Sequence, residues 1–424
     1  MSKRILRGIF LLLVCVLLCV ASNFLAFVVD TPAMRQNAWQ GCLMLGEQQS
    51  QPQTVGGFKS SQLDNFTAVL ILKTAAYTGE ESLFEKAMGG YRVDMPPTDG
   101  QSEWDAYCNY EFGGNAPAGS RITYSRYWHG YTLPLRLLLC VLDTANLQML
   151  LYFAQLALMI AVLHLMNRRG LDRLIPGFFL AYFLMMPFSM SVCVQYVPVS
   201  MLTLIACVMI LAADERIERA VTLPVFFAVL GLLTNYFDLL TFPMVALGFP
   251  LILLLALGMR RGDNGFALFR LTALCGFSWA LGYGGMWALK WLLTACVFGP
   301  GALGNIFTQI GLRASDNAGS ISRLAVLMDN LNIVLAKKSY LLLIGLCGLV
   351  TLLPIAKSFI QKRSLHLDLR ALNLLLPALA ACLWLLVMAN HSYDHTYFTY
   401  RNTAVMVFAG FAFLACLPKR GDRA

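Results

Sequence analysis

Charge is what this chain has least of. Only 13% of its 424 residues are Asp, Glu, Lys or Arg, against 58% hydrophobic. The mean hydropathy is +0.64, which excludes an ordinary water-soluble domain, where about a quarter of the residues are charged. Two-residue alternation is also missing, so the apolar stretches are not strands. Only helices or closed barrels satisfy their backbone in hydrocarbon, and a core about 30 Å thick needs about 20 apolar residues per helix. Ten such helices are expected, near 5–29, 145–166, 174–194, 196–213, 221–237, 239–258, 271–297, 340–356, 372–389 and 400–417.

No Walker-type or Rossmann-type glycine motif occurs. Gly282-Tyr283-Gly284-Gly285 falls inside an expected span and reads as a close-packing site. The loops on one side are short, leaving no room for a cytoplasmic nucleotide-binding domain. An ATP-driven pump, or an enzyme using nucleotide sugars inside the cell, is therefore disfavoured. The absence of an internal repeat weakens a secondary-transporter reading.

The basic residues are unevenly distributed. With Lys3, Arg4 and Arg7 assigned to the cytoplasm, the loops on that side hold Arg168, Arg169, Arg173, Arg216, Arg219, Arg260, Arg261 and Arg270. Lys357, Lys362, Arg363, Arg370, Lys419, Arg420 and Arg423 follow on the same side. The inner side then carries 18 basic and 7 acidic residues, the outer side 14 and 16. By the positive-inside rule both termini are cytoplasmic, and the pI near 9.0 is a topology signal, not a nucleic-acid footprint. Val20-Ala21-Ser22 could end a signal peptide, but the apolar run continues to Val29, so an uncleaved anchor is expected. Ten of the twelve cysteines fall in or beside spans; Cys42 and Cys108 lie in an outer loop, as one disulfide or two free thiols.

The chain thus reads as one membrane domain, 1–424, with outer loops at 30–133 and 298–339. The first runs from the polar Gln48–Gln53 stretch through a helix candidate at 62–77, then Pro96-Pro97 and Gly113-Gly114, to Tyr124-Ser125-Arg126-Tyr127-Trp128-His129-Gly130-Tyr131. The second has a turn at Asp316-Asn317-Ala318-Gly319. An amphipathic helix follows, with Ile321, Leu324, Met328, Leu331 and Leu335 on one face, to lie on the bilayer or pack on the bundle.

Ionisable groups at membrane depth are costly and mark candidate sites. Asp64 and Asn65 open the helix candidate; Asp64 reads as its N-cap or as a general base at the bundle mouth. If 126–136 is helical, Arg126, His129 and Arg136 share a face suited to a lipid phosphate, since Arg binds phosphate bidentately; Pro134 argues against that helix. Asp238, after Asn235-Tyr236-Phe237, reads as N-cap of the next helix, or as a base or metal ligand with a raised pKa. His391 and His395 have an i, i+4 spacing that can chelate a metal or form a hydrogen-bonding pair. Arg401, beside Tyr400, shares a face with Asp394 and Tyr397, as an ion pair, a snorkelling residue or a phosphate or glycan contact. Lys290-Trp291 reads as a snorkelling anchor.

The phrases Leu63-Asp64-Asn65-Phe66-Thr67, Tyr127-Trp128-His129-Gly130-Tyr131, Asn235-Tyr236-Phe237-Asp238, Asn390-His391-Ser392-Tyr393 and Phe398-Thr399-Tyr400-Arg401 carry a family resemblance. The chain resembles bacterial multi-pass membrane proteins of the GT-C glycosyltransferase type, and within them a poorly characterised subfamily. The resemblance implies a helical bundle with a large first extracytoplasmic loop. It implies transfer of a sugar from a polyprenyl-phosphate donor on the outer face of the plasma membrane, to an envelope glycan, lipid or protein acceptor. An acid of the first loop would act as base, and basic residues or a divalent metal would hold the leaving phosphate. The type's acid pair near the end of span one is absent, where only Asp30 stands. The expected set is therefore Asp64, Asp238 and His129 for catalysis, with Arg126, Arg136, Arg401, His391, His395, Tyr400, Asn65 and Tyr236 for binding. A flippase or transporter of lipid-linked sugars is the alternative, weakened by mid-span regions nearly free of charge.

Overall fold

A computed structural model describes residues 3–109, 119–317, 319–360 and 367–418. Gly113-Gly114, Ala318, Lys362, Arg363, Lys419, Arg420 and Arg423 lie outside the described residues. Those described are about three-quarters helical, and their one sheet pairs Arg92–Val93 antiparallel with Arg121–Ile122.

Six helices are long and apolar enough to cross a membrane: Lys3–Ala26, Thr144–Arg168, Val197–Ala220, Met244–Arg261, Gly265–Phe298 and Leu369–Val387. Arg323–Leu335 and Lys338–Pro354 would together form a seventh, bent by 80°. Three other expected spans are shorter helices. The 174–194 stretch is split into Ile175–Leu184 and Pro187–Val192. The break falls at Met186, in the left-handed region (φ 59°), next to a proline that cannot donate a backbone hydrogen bond. Leu223–Phe237 has 15 residues and Thr403–Cys416 has 14. A helical membrane protein with several spans is the architecture.

The Met244 helix is the axis of the core, with 89% of its apolar window buried. Around it pack the Val197, Leu223, Gly265 and Thr403 helices and the helical part Leu376–Val387 of the Leu369 span. Phe178, Phe249 and Phe408 interlock at ring distances of 5.2–5.4 Å. The outer helices expose Phe10, Leu17, Phe153, Phe277, Leu349 and Leu379, a surface suited to hydrocarbon and not to water. Eighteen residues of helix put the two ends of the axis about 27 Å apart. The far end is tied by buried Asp214, which pairs with Arg169 at 2.9 Å and with Arg261.

The Leu223 and Gly265 helices touch backbone to backbone. A Cβ at Gly282 would overlap the Ala228 carbonyl, and one at Gly231 the Trp279 carbonyl, whereas Gly284 and Gly285 face open space. The close-packing reading therefore holds for Gly282 alone. Gly282→Leu is expected to destabilise the fold by about 1–3 kcal/mol, the usual range for overpacking, read as a lower melting temperature in detergent; Gly285→Leu should leave it unchanged.

The first long loop builds its own core. Helices Pro32–Gly46, Asn65–Ala76 and Thr132–Leu139 bury Met34, Ala38, Leu72, Leu135 and Leu139 together. Cys42 and Cys108 are free thiols in that cluster, and burial pushes the Cys42 thiol up to about 12. One expectation changes. Lys290 does not snorkel: it is fully buried and donates to the Met88 carbonyl at 2.8 Å, because helix Leu83–Gly89 packs over it. The 323–335 helix buries Val326, Asn330 and Val334, leaving Leu324, Met328 and Leu335 exposed on the bundle's outside.

Candidate functional site

The Tyr124–Tyr131 segment is a coil, and the helix after it begins at Thr132. Pro134 sits in its first turn, where a missing N–H does no harm. The shared face of Arg126, His129 and Arg136 is therefore not formed. His129 is buried in the left-handed region (φ 55°). Its Nε2 lies 2.8 Å from the Tyr124 carbonyl and its Nδ1 2.7 Å from the Tyr131 hydroxyl. A carbonyl only accepts, so Nε2 carries the proton and Nδ1 receives the tyrosine's. Burial pushes the imidazole down to about 3. It is a neutral latch with both nitrogens occupied.

Several other candidates are likewise engaged in holding the backbone. Arg136 donates to the carbonyls of Ala26, Val29, Ala75 and Tyr77. Arg401 donates to Met185 at 2.9 Å, Tyr397 at 3.1 Å and Ser60 at 3.3 Å, and stacks over Tyr196 at 4.4 Å. It has no ion pair with Asp394. The Tyr400 hydroxyl donates to the carbonyls of Ser60 and Leu184. Tyr236 donates to Asn23 Oδ1 at 2.9 Å, and Asn65 to Gln48 and Gln49.

Asp64 is the N-cap of the Asn65 helix: its carboxylate accepts from Thr67 N at 3.0 Å and Thr67 Oγ1 at 2.7 Å. The Tyr397 hydroxyl lies beside it, and His395 feels its charge. His391 and His395 adjoin, with ring centroids 4.9 Å apart. His391 donates from Nε2 to the Leu240 carbonyl at 2.7 Å, so two motifs far apart in sequence meet here. Among the described residues no three His, Cys, Asp or Glu side chains converge as metal ligands.

Leu240 belongs to the turn that carries Asp238. It is itself in the left-handed region (φ 67°), a strained state for a branched residue that its surroundings must hold. Asp238 is not the N-cap of the next helix, which starts only at Met244. It follows the Leu223 helix, and its Oδ1 accepts from Thr241 N at 2.9 Å and Thr241 Oγ1 at 2.6 Å. Its Oδ2 is buried and has no hydrogen-bond partner among the described residues. Burial raises the carboxyl to about 6, against the opposing bonds from Thr241 and the backbone N–H groups of Leu240 and Leu239.

Beside this turn opens a cavity of about 670 Å³. Its wall is apolar and aromatic, with Trp279, Tyr283, Trp287 and Trp291 on one side and Trp384, Met388 and Leu240 on the other. Arg126 and Arg313 line it too, stacked at 4.5 Å over Tyr124 and 5.9 Å over Tyr127. Neither arginine has a carboxylate within 4 Å among the described residues. Arg126 Nε and the indole nitrogens of Trp279 and Trp291 are buried donors without acceptors among the described residues. Asp238 lies within electrostatic reach of the cavity-wall hydroxyls of Tyr127 and Tyr283. The arrangement offers an apolar chamber with two arginines in its lining and one buried acid beside it.

Sequence reasoning found Arg126 and Asp238 but missed Arg313 and the aromatic wall. The wall has a sequence signal: Trp279, Tyr283, Trp287 and Trp291 recur every four residues, one face of a helix. Arg313 closes helix Gly301–Ala314, which the second loop conceals. No family model matches the chain, and neither a curated protein nor a solved structure was found to match it.

Proposed function

We propose that the protein is a bacterial plasma-membrane glycosyltransferase that takes its sugar from a polyprenyl-phosphate donor at the extracytoplasmic face. In this reading the chain makes ten crossings, with the shorter apolar helices completing the bundle and both termini cytoplasmic. The observation that carries it is the apolar cavity with Arg126 and Arg313 at its rim and Asp238 beside it. An isoprenoid chain needs an apolar, aromatic wall, and its phosphate needs guanidinium groups not already paired with acids. The acceptor oxygen attacks the anomeric carbon from the side opposite the phosphate. Its proton passes to the Asp238 carboxylate, the anomeric C–O bond breaks, and polyprenyl phosphate leaves with the bonding pair. Asp238 suits this role better than Asp64, whose oxygens already cap a helix. A flippase needs polar groups along the axis, and the core there is apolar, with Phe178, Phe249 and Phe408 packed together.

The test is sugar transfer by the purified protein, with labelled polyprenyl-phosphate hexoses and pentoses and an envelope extract as acceptor. Transfer lost in Asp238→Asn, in protein that still folds, supports the reading. Donor crossing the bilayer without transfer would replace it with the flippase. His391 acts here as a positioning residue for the Asp238 turn. His391→Leu is expected to lower kcat about tenfold with KM little changed, by analogy with lost outer partners of active groups; His391→Gln, which keeps an N–H donor, should restore most of it.

A further inference from the structure

At the opposite end of the axis from Asp238 lies a second cleft, of about 430 Å³. Its floor is apolar: Leu171, Leu174, Ala256 and Met259. Three arginines stand around it, Arg173, Arg260 and Arg370, with Asp368 as the one lining acid. Asp368 is taken by Arg370 at 2.7 Å, and Arg370 also donates to the Asp263 carbonyl at 2.8 Å. Arg260 spends one nitrogen on the Gly170 carbonyl at 2.6 Å. Arg173 has no ion pair among the described residues.

The placement of Arg260 is built by the chain. Gly170 is in the left-handed region (φ 64°), and a Cβ there would strike the Arg260 guanidinium. Gly262 (φ 91°) ends the Met244 helix directly after Arg260 and Arg261. The chain turns twice on glycine to bring Arg260 and Arg173 to one cleft, where both act on Cys416. Among the described residues neither Arg173 nor Arg260 has an ion pair, and both stand over an apolar floor at the level where the spans end.

We infer that this cleft binds the phosphodiester headgroup of an anionic phospholipid from the leaflet opposite the Asp238 cavity, through Arg173 and Arg260. The charge requires an anion, and the apolar floor suits a lipid's glycerol and first methylenes better than a free ion. Basic pockets between spans on the cytoplasmic side recognise such headgroups. The inference does not depend on the proposed enzyme activity.

The test is native mass spectrometry of the full chain in phosphatidylcholine nanodiscs doped with phosphatidylglycerol. Wild type is expected to retain one phosphatidylglycerol after the surrounding lipid is stripped. The double variant Arg173→Gln/Arg260→Gln should hold it about thirtyfold more weakly, taking about 1 kcal/mol per arginine. Arg173→Lys/Arg260→Lys, which keeps the charge, should fold as wild type and retain the lipid in part. Arg4→Gln/Arg7→Gln removes the same charge from the same end without touching the cleft, and should behave as wild type. An equal loss in that control, or equal retention of phosphatidylcholine by wild type, would overturn the inference. Displacement of the lipid by millimolar inorganic phosphate would overturn it too, by making the cleft a free-anion site.

Discussion

Asp238→Asn should lower sugar transfer by about 10²–10⁴-fold, the usual contribution of a positioned base, with donor binding little changed. The amide is nearly the same size and can still accept from Thr241 through its oxygen, so the turn should keep its shape. What it loses is the oxygen that has no hydrogen-bond partner among the described residues. The pH profile provides an independent readout. A base must be ionised to work, and burial sets the Asp238 carboxyl at about 6. Transfer by wild type should therefore rise with pH through about 6 and level off above it. The rising limb should vanish in Asp238→Asn. The sign for stability is opposite: the folded pKa is raised, so the folded state is favoured by protonation and loses stability as pH rises towards 6. Transfer kept in Asp238→Asn and lost in Asp64→Asn would move the base to Asp64.

How much of this could be read from sequence depended on whether the deciding interaction was local. The apolar runs betray helices because lipid-facing and core-facing residues are both apolar here. The Asp64 cap was legible because Asp64 and Thr67 stand three residues apart. The break at Met186 was not, since the run looks continuous across Pro187. Arg136 and Arg401 show the harder limit. A guanidinium has five donors that phosphate or carbonyl oxygens satisfy equally well, and their carbonyl partners include Ala26, 110 residues from Arg136, and Ser60, 341 from Arg401. Lys290 looked exposed for the same reason, because the chain that covers it lies 202 residues away.

Arg126 and Arg313 differ from those two arginines in what they do not touch, and the last prediction rests on that difference. Arg136 and Arg401 are fully buried, with their donors on carbonyls, so removing either would orphan buried acceptors and disturb folding. Arg126 and Arg313 are half-buried at a cavity rim, stacked on tyrosines. Among the described residues the only hydrogen bond of Arg313 is to the Gln309 carbonyl at 3.4 Å, one helical turn back. Arg126→Gln and Arg313→Gln should therefore leave the melting temperature within a degree or two, the effect of a surface change. Each should cut transfer by about 10²–10³-fold if the group meets the departing phosphate as its charge develops. Lysine should recover part of the rate, since an ammonium keeps the charge but loses the bidentate fork. The two losses should combine less than additively, because both groups act on one phosphate. Transfer unchanged in both variants would remove the phosphate from this rim, and with it the reason for assigning the cavity to a lipid-linked donor.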